Sequence, residues 1–229
     1  MKTLPLLPIS ASFMLLFGCS PKEPEAVEEA DSVEVVEAAP VHPSIDEAIA
    51  RGEIEQVRAI IAADPKALNE GRNPNLAPLL SAILRKKTEI ALLLIESGAD
   101  VNAQDPSQRS APHLAVERNL PELVQPLADA GASLQELDSA GWTPLHWATA
   151  KDNFEMTKAL VDSGADIHKL SIRGGTILHE AASSGSPELV QYLLDLGVDP
   201  AIKANDGSTA LSVATKFKNT AAVAILSKL

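Results

Sequence analysis

The chain has 229 residues, enough for one or two ordinary domains. Its hydrophobic share is 45% while aromatics make up only 3%, which fits a core of Leu, Ala, Ile and Val between small helices. A net charge of -12 argues against non-specific binding to nucleic acid, whose phosphates would be repelled, and a single cysteine, Cys19, excludes an intrachain disulfide.

Residues 1–18 open with Met1-Lys2 and continue as an apolar run from Leu4 to Gly18. The run is too short for a spanning helix and follows a basic start, which reads as an export signal. Its end, Leu15-Leu16-Phe17-Gly18-Cys19, resembles the bacterial lipobox. That resemblance implies removal of the signal peptide, a diacylglycerol on the Cys19 sulfur and Cys19 as the first mature residue. Acyl chains hold a protein to a bilayer through about 0.8 kcal/mol per buried methylene. Ser20 follows the cysteine, and by similarity to enteric lipoproteins the absence of Asp there favours the outer membrane. The expected location is therefore the cell envelope.

From Ser20 to His42 seven acids (Glu23, Glu25, Glu28, Glu29, Asp31, Glu34 and Glu37) face Lys22 alone, with Pro21, Pro24, Pro40 and Pro43 around them. Such a stretch buries too little apolar surface to order itself, and its charges repel. Residues 19–43 are thus expected to be a disordered tether. Residues 44–229 keep 24 acids and 17 bases, a net of -7.

Beyond Ser44 the chain is periodic. Ile45, Ala48, Ile49, Ile54, Val57, Ile60 and Ile61 recur at helical spacing on either side of Gly52, which predicts a helix–turn–helix. Further on, Gly141-Trp142-Thr143-Pro144-Leu145-His146-Trp147-Ala148 returns 33 residues later as Gly174-Gly175-Thr176-Ile177-Leu178-His179-Glu180-Ala181, and again as Gly207-Ser208-Thr209-Ala210-Leu211-Ser212-Val213-Ala214. A weaker copy precedes it at Ser110-Ala111-Pro112-His113-Leu114-Ala115. A second ladder keeps the same step through Gly98-Ala99-Asp100, Gly131-Ala132-Ser133, Gly164-Ala165-Asp166 and Gly197-Val198-Asp199. Seven of the 12 glycines stand on these two ladders, so the period is not an accident of composition.

A Gly-x-Thr-Pro-Leu-His-x-Ala pattern followed by Gly-Ala-Asp at a 33-residue period resembles the ankyrin repeat. The implied fold is an all-α solenoid of about six helix–turn–helix units joined by β-hairpin loops. The units run 44–71 (an atypical first repeat), 72–104, 105–137, 138–170, 171–203 and 204–229. Thr143 is placed to cap its helix, Pro144 to fill the first turn and Gly164 to end the second helix in a left-handed conformation.

His113, His146 and His179 also step by 33 residues. In the ankyrin pattern this histidine bonds the capping residue and the adjacent loop, and repeats about 10 Å apart are too distant to share metal bonds of about 2 Å. No metal or other cofactor is expected, although a metal-dependent stress or redox protein stands as an alternative reading. No GxSxG, HExxH, CxxC or GxxxxGK motif is present, so no catalytic residues are assigned and an enzyme is not expected.

Ankyrin partners dock on hairpin tips and on the exposed side of each first helix, the concave face. Those slots hold Arg109, Trp142, Gly175 and Ser208 before the cap, and Arg85, Arg118, Lys151, Ser184 and Phe217 at the end of the first helix. The hairpin tips add Ile172 and Arg173. An acidic domain thus presents a row of positive charge, with Trp and Arg of the kind that dominate interfaces. The expected partner-binding residues are Arg85, Arg109, Arg118, Trp142, Lys151, Ile172, Arg173 and Phe217. The expected partner is a protein of acidic or mixed charge, met by a monomeric, membrane-tethered module. An alternative has the acidic tether itself occupying the basic face until a partner displaces it.

Overall fold

The computed structural model describes residues 44–229; the expected signal segment, Cys19 and the acidic stretch expected to be a tether lie outside the described residues. Within them twelve α-helices pair in sequence: α1 (Ile45–Arg51) with α2 (Ile54–Ala63), α3 (Pro78–Leu84) with α4 (Thr88–Glu96), and α5 (Ala111–Arg118) with α6 (Val124–Asp129). The series continues with α7 (Pro144–Ala150) and α8 (Phe154–Asp162), α9 (Ile177–Ser184) and α10 (Pro187–Asp195), and α11 (Ala210–Phe217) and α12 (Thr220–Leu226). The first helices of successive pairs pack side by side, as do most of the second helices, forming a two-layered solenoid.

Helices of six to ten residues are too short to persist alone, so burial between neighbours carries the fold. Leu79, Leu80, Ile83, Leu114, Leu145, Leu160, Ile177, Leu178 and Leu193 are each 0–1% exposed along the array. Ala82, Ala115, Ala148, Ala181 and Ala214 recur at the 33-residue step and are fully buried, allowing first helices to approach closely.

Local chemistry sets the ends. The Thr143 hydroxyl accepts the His146 amide at 3.3 Å and Pro144 occupies the first turn. Ala77 stands in the same slot of the second pair, and α3 has no side-chain cap. Gly164 takes φ 92, and the Ala165 amide then reaches back to the Leu160 carbonyl at 2.9 Å. In the third pair the second helix is split into a 3₁₀ turn (Pro121–Leu123) and six α-helical residues: Pro121 fits the first position, where no donor is needed, but Pro126 removes an amide within the segment.

The loops between pairs are hairpin-like but minimal. Two main-chain bonds close each tip: the Asp105, Asp138, Ser171 and Ala204 amides donate to the Arg109, Trp142, Gly175 and Ser208 carbonyls at 2.9–3.0 Å, and their own carbonyls accept from the Gln108, Gly141, Gly174 and Gly207 amides at 2.8–2.9 Å. Single bonds join neighbouring tips, including Ile172 N–H to the Gly141 carbonyl and Asn205 N–H to the Arg173 carbonyl, both 2.9 Å. These pairings are too sparse to form strands; among the described residues the one β-bridge is Gln104 with Ser110.

Candidate protein-interaction site

The histidine ladder knits the tips to the helices. Each ring accepts at Nδ1 from its own capping hydroxyl: His113 from Ser110 at 2.9 Å, His146 from Thr143 at 2.8 Å and His179 from Thr176 at 2.9 Å. Each donates from Nε2 to a carbonyl in the following repeat: Trp142 at 2.9 Å, Gly175 at 3.2 Å and Ser208 at 3.1 Å. Both nitrogens of every ring are thereby used. Burial lowers the pKa of His146 to about 4, opposed by its bond to the Gly175 carbonyl, and burial lowers His113 in the same direction.

With the tips fixed, a groove opens between the hairpin tips and the helices α9 and α11. It encloses about 470 Å³ and is lined by Trp142, Ile172, Arg173, Glu180, Val213 and Phe217 among others. Ile172 is 67% exposed and Phe217 59%, the opposite of what isolated folding would favour for such side chains. Trp142 is half-buried, meeting Trp147 edge-on with ring centroids 6.1 Å apart at 80°. The Trp147 indole N–H donates to Asp138 at 2.9 Å, and Asp138 also accepts the Trp142 amide, so one buried carboxylate holds both aromatics.

Four of the residues expected from sequence, Trp142, Ile172, Arg173 and Phe217, thus line one groove. Lys151 stands beside it with its ammonium 5.4 Å from the Trp147 ring centroid. The others lie apart. The Arg85 guanidinium reaches Ser81 at 3.4 Å. Arg109 is drawn into the structure, with 25% of its side chain exposed, paired with Asp105 at 2.7 Å and with Glu117. Burial raises the Asp105 pKa, but the bonds and charge of Arg109 outweigh it and hold the carboxyl below its ordinary value. Arg118 lies 3.6 Å from the same Glu117. The basic row is therefore compensated internally at Arg109 and Arg118, and open charge remains at Arg173 and Lys216.

Among the residues of this region absent from the expected set, Trp147 and Glu180 bear most on its geometry and charge. Trp147 orients Trp142, and Glu180 sits half-buried on the groove lining, where burial raises its pKa to about 7 against the opposing charge of Arg173. Both occupy the slot after the histidine, which carries Ser81, Leu114 and Val213 in other repeats. A change of residue class within that slot is the sequence signal for them.

Family models described as ankyrin repeats match residues 79–171 in a three-copy form and residues 150–194 and 178–226 in a many-copy form, together spanning 79–226. The chain belongs to the ankyrin-repeat family. No curated protein matches it. The ankyrin array is similar to a chain from the complex of a predatory endopeptidase of Bdellovibrio bacteriovorus with an immunity protein, at 24% identity and a TM-score of 0.72, covering 81% of this chain and 97% of that one. It is also similar to the ankyrin repeat domain of Bcl-3, a member of the IkappaB family, at 27% identity and a TM-score of 0.74, covering 81% and 85%. Ankyrin repeats are protein-interaction scaffolds.

Proposed function

We propose that this ankyrin protein is a membrane-tethered interaction module of the bacterial cell envelope that docks a protein partner in the groove between the hairpin tips and the helices α9 and α11. The observation that carries the docking surface is the convergence of Trp142, Ile172, Arg173 and Phe217, distant in sequence, on one groove of about 470 Å³ with two exposed apolar walls. The tethering half of the reading rests on the lipobox-like Leu15–Cys19 and on the acidic, proline-containing residues 20–42, which would hold the array away from the bilayer.

Recovery of partner from native membranes with the full-length protein tests the placement. Phe217→Ala and Ile172→Ala are expected to reduce it at least tenfold, while Lys158→Ala on α8 leaves it unchanged; equal losses overturn the placement. Cys19→Ala is expected to move the protein from the membrane to the soluble fraction, and retention in the membrane removes the lipid anchor from the proposal. Internal pairing of Arg109 and Arg118 gives the alternative, an acidic tether bound along the basic face, less to hold. The alternative of a metal-dependent role gains no support from the histidine ladder, whose nitrogens are engaged within the fold.

A further inference from the structure

The slot after the capping histidine is apolar or neutral in four repeats, at Ser81, Leu114, Trp147 and Val213, and anionic in the fifth, at Glu180. This carboxylate, on α9, lines the groove together with α11 and the hairpin tips that carry Trp142, Ile172, Arg173 and Asp206. It is half withdrawn from water and has no ion-pair partner: the ion pairs among the described residues are made by Arg51, Arg58, Arg72, Arg109 and Arg118. Arg173 acts on it only at longer range. A carboxylate left in this position is unfavourable until a cation or donor meets it.

We propose that the groove receives a partner segment that sets a Lys or Arg head on the Glu180 carboxylate and an adjoining apolar side chain between Ile172 and Phe217. Charge complementarity favours this occupant. The repeat domain has a net charge of -7, and Asp206 adds a second acid to the lining. Arg173 and Lys216 on the same lining disfavour a continuous basic run and select a single cation beside apolar residues. The inference rests on the docking reading above and gives the partner segment its chemistry.

A photo-crosslinking phenylalanine analogue at position 217 of the full-length protein, activated in the cells that make it, would capture the segment, and mass spectrometry would read its sequence. The expected segment carries Lys or Arg within one or two residues of an aliphatic or aromatic residue. A synthetic peptide of that sequence is then titrated against the full-length protein. Glu180→Gln and replacement of the peptide's cation by Gln should each weaken binding about tenfold, and the two together no more than either alone, as a directly paired contact requires. Affinity for the cationic peptide should rise between pH 6 and 8 and lose that rise in Glu180→Gln. The other titratable or charged groups facing the site, His179, Arg173, Asp206 and Lys216, are unchanged in that variant. Absence of any crosslink overturns the docking reading itself. A captured segment without a cation, or additive losses in the double substitution, overturns this inference and leaves docking intact.

Discussion

Glu180 and His146 make opposite demands on pH. With its pKa at about 7 in the fold and an ordinary value of 4.5, Glu180 keeps a proton that the unfolded chain has lost, so stability falls as pH rises between those values. His146, held to about 4 against 6.5, stays neutral while the unfolded chain takes up a proton, so stability falls as pH drops through that window. The two slopes oppose each other over the overlap of the windows, and a flat stability profile there is the expected outcome. Glu180→Gln should unmask the histidine: at pH 8 the variant gains on the order of 1 kcal/mol after allowance for solvent screening, raising Tm by about 2–4 °C, and at pH 4.5 it gains nothing. Thermal denaturation of both proteins across this range checks the sign. His146→Leu should cost about 2–4 kcal/mol at neutral pH, because it strands the Gly175 carbonyl and the Thr143 hydroxyl in a fully buried setting, and chemical denaturation measures that loss.

At the scale of elements, two glycines with similar backbone angles predict different penalties. Gly164 has φ 92 with open space where a Cβ would go, so Gly164→Ala bears only the left-handed strain, about 1–2 kcal/mol. Gly141 has φ 78, and a Cβ there would sit 2.0 Å from the Ile172 methyl, on a tip fixed by the Ile172 N–H bond to the Gly141 carbonyl. Gly141→Ala should therefore destabilise by more than Gly164→Ala and also weaken partner binding, since Ile172 is a wall of the groove; equal urea midpoints for the two variants would contradict this. The helix pairs, caps and closing turns were legible because each follows from a residue type at a fixed step, as Thr143, Pro144 and Gly164 show. The pairing of Arg109 with Glu117 was not, because it depends on where a hairpin tip meets a helix end, which periodicity does not specify. Glu180 escaped for another reason: a period displays what recurs, and this residue is informative by departing from it.

At the scale of the whole molecule, the extensive helix contacts among the described residues all join elements of the same or adjacent repeats, so damage should spread by proximity along the array. Leu160→Ala removes a fully buried side chain from the fourth pair and should cost about 2–5 kcal/mol. Native-state hydrogen exchange is expected to show lost amide protection in α7–α10 before α1–α4, and a uniform loss would argue for a single cooperative unit instead.

The histidine bonds also give the array a direction. Each ring draws its second partner from the repeat that follows, never from the one before: Trp142 for His113, Gly175 for His146 and Ser208 for His179. At the last step Ser212 fills the histidine slot, and its hydroxyl turns back to the Thr209 carbonyl at 2.8 Å without reaching forward. Trimming from the C-terminal side therefore orphans a buried imidazole in the repeat left behind, whereas trimming from the N-terminal side frees only a carbonyl that water can take up. Beyond the packing either cut removes, the solenoid comes apart more readily from one end than from the other, and as the chain leaves the ribosome each of the three histidine-bearing repeats waits for its successor.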